Sequence, residues 1–437
     1  MMFDLSRYQW TVLFAAWLGW GFDIFDALLF NFVAPNCVPT LLGLSIGSPE
    51  AASATVYWTG VMASVLLLGW AAGGILFGKL ADRIGRTKTL LISIVLYSLG
   101  TAACAIAPNI WVLMGCRFVA SLGVGGEWAA GAALVAEVMP EKWRIEGGAL
   151  LCTSAPLGAF LATSVTFIIS GLLLPNSPEI SWRYVFLCGL IPAAAAAIVR
   201  FFIKEPEVWL KNSAKAALPR IRELFNQENL PSTISGLLLA FIALFTSQVC
   251  GAFIQVIASQ LARSVAVTRE LDPIATQVLV EQWKAIASNS LNLGSLIGTL
   301  LTVPAAKFLG RRVMFSLYFL LSSAAIMIIF GLPIPPEIFI YSLFFLGLTV
   351  FGVFGSFAYY LPELFPTRLR ATGSGFCYNA GRVVAAIGPF WLGYLSSHGS
   401  NPLSGGTFSL FWVGFVPLLG ISLIPWTIET KGQVLAD

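Results

Sequence analysis

Two carboxylates, Asp23 and Asp26, stand in the run Gly21-Phe22-Asp23-Ile24-Phe25-Asp26, inside an otherwise apolar stretch. Three residues apart, they share a face of a helix. A carboxylate in an apolar medium is costly, so it faces a polar cavity, pairs with a cation or holds a proton. Burial favours the protonated form of a carboxyl, which is what a reversible proton carrier needs. The plainer reading is that one of the two only anchors a neighbouring helix. Glu127, in Gly123-Val124-Gly125-Gly126-Glu127, is a third acid of this kind, beside glycines that allow helices to approach closely. Two guanidinium groups also lie within apolar runs, Arg117 and Arg382. Arg117 either joins this chemistry or snorkels outward and braces its helix. Arg382, in Tyr378-Asn379-Ala380-Gly381-Arg382, has the planar fork that holds a carboxylate with two parallel hydrogen bonds. Its plainer use is a permanent salt bridge to one of the acids.

These charges must be set at depth by long helices. The chain has 437 residues, 57% hydrophobic and only 11% charged, against about 25% charged in soluble domains. That is too little charge to coat a water-facing surface, and it implies an all-α, multi-span membrane protein. Twelve apolar runs are predicted as spans, at 9–34, 55–80, 88–107, 110–138, 145–174, 182–203, 232–262, 282–306, 312–331, 336–361, 370–396 and 406–428. At 1.5 Å per residue each can cross about 30 Å. On the same rise Asp23 and Asp26 lie about 20–24 Å from the start of the first span, Glu127 about 16 Å and Arg382 about 18 Å from the corresponding side. All four are expected near the midplane. Gln248 and Gln255 on span 7, Asn289 and Asn292 on span 8, and Tyr359, Tyr378 and Asn379 are candidates to complete a cavity there. Each of these polar residues could equally join helices together.

An even number of spans puts both termini on one side. Of 25 Lys and Arg, 19 fall on that side, two lie within spans, and four remain for the opposite face. This asymmetry predicts cytoplasmic termini, in an inner or plasma membrane. The polar stretch 204–231 reads as a cytoplasmic linker between residues 1–203 and 232–437, and the polar stretch 263–281 as an outward loop. An internal repeat supports the division: the eleven residues Glu137 to Gly147 align without gaps on Glu363 to Gly373, an offset of 226. Seven scattered cysteines without a C-x-x-C pair, and a single histidine, His398, in a polar loop, point away from disulfide frameworks and metal sites. No Walker-type phosphate loop occurs, so no nucleotide or other cofactor is expected.

The turn after the second run reads Gly78-Lys79-Leu80-Ala81-Asp82-Arg83-Ile84-Gly85-Arg86. This Gly-x-x-x-Asp-Arg-x-Gly-Arg pattern resembles the signature loop of the major facilitator superfamily of secondary transporters. Its second-half counterpart, Lys307-Phe308-Leu309-Gly310-Arg311, has lost the acid. Two pseudo-symmetric six-helix bundles are the architecture this resemblance implies, with substrate bound between them at the midplane. Leu18-Gly19-Trp20-Gly21-Phe22-Asp23-Ile24-Phe25-Asp26 is similar to the first span of sialate and monocarboxylate proton symporters, and the spacing of its acids also occurs in aromatic-acid symporters. The run Arg117 to Gly123 resembles a span-4 pattern linked in the superfamily to proton coupling. The stretch Pro362-Glu363-Leu364-Phe365-Pro366-Thr367-Arg368-Leu369-Arg370 is shared with these groups and with sugar porters. Span 7 lacks the histidine and the Gln-Asp ending of the lactate branch, which speaks against lactate-type specificity.

The resemblance implies a conformational latch on the cytoplasmic side, in which Asp82 engages the end of span 11 near Gly373. Gly78, Arg83, Gly85, Arg86, Glu137, Arg144, Glu363 and Arg370 would belong to that network. The expected activity is proton symport of a small organic anion by a non-enzymatic, monomeric transporter. Its partners would be substrate, protons and the bilayer, with no nucleic acid. Sodium coupling, a sugar or polyol porter, an exporter of amphipathic or cationic compounds, and a non-transporting receptor on the same fold are the rival readings.

Overall fold

A computed structural model describes residues 5–84, 86–140, 143–191, 194, 220–366, 369–397 and 402–432, with side chains described except at 78–79, 81–84, 86–87, 127–134, 136–138, 144, 370–371 and 402–406. The chain is all-helical, with twelve spans in two six-helix bundles. Among the described residues, nine helices are by themselves long and apolar enough to cross a membrane.

Spans 1 to 4 are Arg7–Leu42, Pro49–Ile84, Arg86–Ala105 and Ile110–Val138. Span 5 is built from Arg144–Cys152, Ser154–Thr166 and the wider π-helical turn Phe167–Leu173, and span 6 opens with Pro178–Cys188. Span 7 joins Leu230–Ala252 to Ile254–Thr268; span 8 is Pro273–Leu309 and span 9 Arg311–Gly331. Span 10 runs over Pro336–Glu363, with a π-helical turn at Gly347–Phe351. Span 11 is Arg370–Ala385 with Ile387–Ser397, and span 12 is Pro402–Val413 with Phe415–Leu423.

Local chemistry sets several of these limits. Ser6 and Gln9 form a reciprocal capping box at the start of span 1. Gly43, at φ 69°, closes the same helix in the left-handed conformation that glycine adopts without strain. Asp272 caps span 8 by accepting from the N–H groups of Ile274 and Ala275, both at 2.9 Å, with Pro273 at the first helical position.

Three predicted boundaries are corrected. Span 1 continues past residue 34 to Leu42, carrying Pro35 and Pro39 inside it. The backbone at Asp82 and Arg83 belongs to the end of span 2, so the charged cluster is not a free loop. Most of the expected outward loop 263–281 is helix, because span 7 runs to Thr268 and span 8 starts at Pro273. Polarity misleads there, since buried polar groups in that stretch satisfy one another and span 1. Of the expected linker, 204–219 lies outside the described residues. Its end forms a short turn, Ile221–Phe225, whose Leu224 is buried and accepts a hydrogen bond from Thr233 at 2.8 Å.

Within the first bundle span 4 packs on spans 2 and 3, and span 1 on span 5; in the second, span 8 packs on span 10 as span 2 does on span 4. Glycine makes both of these matched contacts close. A side chain at Gly125 would strike the Trp70 carbonyl, and one at Gly298 the Leu348 carbonyl. The bundles meet where span 2 lies on span 11 and span 5 on spans 8 and 10. Ser64 donates to the Ala386 carbonyl and Ser53 to the Ser397 carbonyl, each at 2.6 Å, across the first of these seams.

Candidate functional site

A cavity of about 190 Å³ lies between the bundles, lined by spans 1, 2 and 5 from one and spans 7, 8, 10 and 11 from the other. Its wall is mostly apolar and aromatic, including Trp20, Phe32, Trp70, Phe351 and Phe354. That is the usual make-up of a small-molecule site, in which a few polar groups fix orientation.

Arg382 is the charged side chain of that wall among the described residues. It is 3% exposed, with its guanidinium carbon 4.0 Å from the Trp70 ring centre and 4.4 Å from that of Tyr378. Two aromatic rings, one from each bundle, therefore flank the cation. Its Nη1 donates to Asn379 Oδ1 at 3.1 Å, and Asn379 in turn donates to the Gly375 carbonyl at 2.9 Å. Asn379 supports the arginine from behind the wall, whereas Tyr378 is part of it.

The other predicted polar residues divide. Gln248, Gln255 and Asn292 line the cavity, and Gln255 donates to Ser288 at 2.8 Å. Asn289 does not line it: the cavity-lining positions of span 8 are Ser288, Leu291, Asn292, Ser295 and Thr299, and residue 289 is turned about 100° from the centre of that stripe. Tyr359 is fully buried inside the second bundle, donating to the Thr302 carbonyl at 3.3 Å, and also stands off the cavity.

Asp23 and Asp26 are each 1% exposed, but neither lines the cavity. The cavity stripe of span 1 is Trp20, Ile24, Ala27, Leu28 and Asn31, so the acids face into the first bundle. Arg117 meets Asp26 there. Its Nη1 lies 3.9 Å from Asp26 Oδ2 and donates to the Asp26 carbonyl at 3.2 Å, while Nη2 donates to the Ala27 carbonyl at 2.8 Å. The guanidinium is thus fastened to the backbone of span 1 more tightly than to the carboxylate. The side chain of Glu127 lies outside the described residues.

One charged cluster is absent from the sequence reading. Glu281 and Lys284, both 1% exposed, pair at 2.8 Å on span 8 and contact span 1. The Lys/Arg count leaves Lys284 among the four far-face cations; the structure buries it instead. Acid and base three residues apart, with Gln277 a turn earlier, was the signal available.

A family model described as Major Facilitator Superfamily matches residues 10–389. The chain belongs to that superfamily. It is 29% identical over 435 residues to a probable 4-methylmuconolactone transporter of Cupriavidus pinatubonensis, covering 99% of this chain and 93% of the relative. To the sialic acid transporter NanX of Escherichia coli it is 25% identical over 392 residues, covering 89% and 88%. Its fold matches the crystal structure of a D-xylose–proton symporter with a TM-score of 0.74 at 18% identity, over 98% of this chain and 100% of that one. The major facilitator protein described here is therefore a multi-pass membrane transporter and not an enzyme.

In this transporter the side chains of the expected latch residues Gly78, Asp82, Arg83, Arg86, Glu137, Arg144 and Arg370, and the whole of Gly85, lie outside the described residues. Glu363 does have a described network, within the second bundle. It accepts Arg311 Nη2 at 2.8 Å and Nε at 3.2 Å, and Thr430 Oγ1 at 2.5 Å. Glu429 locks the same corner, accepting the N–H groups of Arg311 at 2.9 Å and Arg312 at 3.0 Å. Desolvation pushes the Glu429 carboxyl up, but these donors, that of Lys431 and the Arg311 charge outweigh it and hold the group below the usual carboxylate range. Lys307, which replaces the acid of the first-half loop, pairs with Glu146 of span 5 and so ties the bundles together on the side of the termini.

Proposed function

We propose that this transporter is a proton symporter of a small organic carboxylate, working by alternating access. The observation that carries the reading is Arg382, a guanidinium between aromatic rings of the two bundles on the wall of their shared cavity. A carboxylate docked there gains charge-assisted hydrogen bonds in a low-dielectric site, and the aromatic walls suit an apolar or unsaturated body. The sialic acid transporter among its relatives acts on an acid.

Asp26 and Arg117 supply the coupling, and Asp23 shares the face of span 1 that carries Asp26. Arg117 grips the carbonyls of Asp26 and Ala27, and the Ala27 side chain lines the cavity. Adding a proton to Asp26 weakens its pull on Arg117 and so shifts the cavity wall. Residues 1–203 and 232–437 move as the two rocking halves, joined by 204–231. The excess of Lys and Arg on the side of the termini supports a cytoplasmic location for both, in an inner or plasma membrane, and the protein acts as a monomer.

Gln248, Gln255 and Asn292 on the same wall favour one rival, a sugar or polyol porter. Uptake into proteoliposomes under an imposed pH gradient, compared over carboxylates, neutral sugars and cations, separates the two. Carboxylate accumulation that collapses with a protonophore is expected. Asp26→Asn and Asp23→Asn should abolish uphill accumulation while counterflow survives. Full uphill uptake by both variants refutes the coupling role, and accumulation of sugars alone refutes the substrate class.

A further inference from the structure

Span 1 and span 8 meet at the end of the cavity remote from the termini, through a set of buried polar contacts. Asn36 Nδ2 donates to Glu281 Oε1 at 2.9 Å, and Lys284 Nζ donates to the Phe32 carbonyl at 2.8 Å. Gln277 Nε2 bridges them, 3.1 Å from Glu281 Oε1 and 3.4 Å from Asn36 Oδ1. Asn36, Gln277, Glu281 and Lys284 are 0%, 5%, 1% and 1% exposed. Gly171 of span 5 lies against the base of Glu281 and covers it. Phe32 is itself a cavity residue, and so is Ser288, one turn along span 8 from Lys284. The cluster is therefore the lid of the cavity on its far side.

Its composition fits a seam that opens. An apolar seam loses its whole hydrophobic contribution on opening, about 25 cal/mol for each Å² wetted. A polar seam exchanges protein hydrogen bonds for water hydrogen bonds, at a net cost near 1 kcal/mol each. A buried ion pair is a poor source of static stability, because its desolvation offsets its attraction. Here Glu281 and Lys284 lie on one helix, so the pair survives when the helices separate. The bonds that cross the seam are those from Asn36 to Glu281, from Gln277 to Asn36 and from Lys284 to Phe32.

We propose that Asn36, Glu281 and Lys284 form the far-side gate of the transport cycle, closed in this structure and broken once per turnover, with the Glu281–Lys284 pair moving as a unit on span 8. The proposal rests on the alternating-access reading, but not on the substrate or on proton coupling.

The test measures access to the cavity, without substrate. In a protein whose native cysteines are replaced, Ser247→Cys places a thiol on the cavity wall. A charged, membrane-impermeant thiol reagent is applied from each side of sealed, oriented vesicles. Asn36→Ala removes both of that side chain's bonds across the seam, to Glu281 and from Gln277, and leaves the buried pair intact. Far-side labelling should rise on the order of tenfold, and labelling from the terminal side should fall as the population shifts. If Asn36→Ala does not assemble, the double variant Glu281→Gln/Lys284→Met removes the bond to Phe32 without stranding a charge, and the same pair of changes is expected. Unchanged labelling, or a rise from both sides, means that the cluster only staples the fold and overturns the gate.

Discussion

Arg117 and Arg382 are both cations buried within helical spans, 2% and 3% exposed, yet they are held in opposite ways. Arg117 gives its donors to the carbonyls of Asp26 and Ala27 on a neighbouring helix and faces Asp26. Arg382 is flanked by the rings of Trp70 and Tyr378 and lies on the cavity wall. Backbone carbonyls consume the hydrogen-bonding capacity of Arg117; aromatic rings attract the Arg382 cation through their faces, while its Nη1 donates to Asn379. Burial and residue type therefore do not distinguish a brace from a binding group. The kind of partner does. In the proposed mechanism the two bundles divide the labour accordingly, with proton-handling groups inside the first and the anion-binding group contributed by the second.

The comparison breaks most readily at Arg382. Arg382→Ala should raise the apparent KM for the transported carboxylate about a hundredfold or more, since it strips the cationic partner from a desolvated charge pair. Arg382→Lys keeps the charge but loses the fork, and about tenfold of the affinity should be lost. Equal affinity in wild type and Arg382→Ala would make Arg382 a brace like Arg117. Direct binding to purified protein checks this independently of turnover.

Arg117→Ala should behave in the opposite sense. It removes donors from two buried carbonyls and leaves Asp26 without its cation, so stability should fall by roughly 3–5 kcal/mol. Uphill accumulation should be lost. Substrate affinity of the folded fraction should stay within about threefold, because Arg117 does not touch the cavity. Thermal unfolding in detergent and equilibrium binding give the two readings. A large loss of affinity with intact stability would erase the distinction between the two arginines.

How far these roles were legible in the sequence follows from what each depends on. The spans and the two-bundle division rest on long apolar runs and a repeat, which need no partner to be seen. Arg382 and the glutamines could be placed by rise per residue, because depth is a property of one helix. The direction in which Asp23 and Asp26 face is not. Span 1 is buried on nearly all sides, so its apolar pattern has no contrast to orient it. Asn289 stands off the wall for a related reason: one residue's rotation separates a lining position from its neighbour. The cluster between spans 1 and 8 was hidden because Gln277 and Glu281 look like loop residues, and Lys284 like the edge of a span, until Asn36 and Phe32, some 240 to 250 residues away, are brought against them.

The smallest expected effect is also the most discriminating test of how Arg382 is held. Trp70 belongs to span 2 and Arg382 to span 11, so their contact spans the two bundles. If the indole serves as a platform for the cation, Trp70→Leu should weaken carboxylate binding by about 0.5–2 kcal/mol, a several-fold rise in Kd. Trp70→Phe, which retains a π-face, should recover most of it. A purely hydrophobic role for Trp70 predicts the same order, since phenylalanine fills more of the indole's volume than leucine, so the two roles are told apart only without the guanidinium. The contrast is sharpened by repeating both substitutions in the Arg382→Ala background. There the platform has nothing to orient, and the difference between leucine and phenylalanine should vanish. A difference that persists without the guanidinium would show that Trp70 contacts the substrate itself, and the rigid cradle would reduce to a single aromatic face, Tyr378.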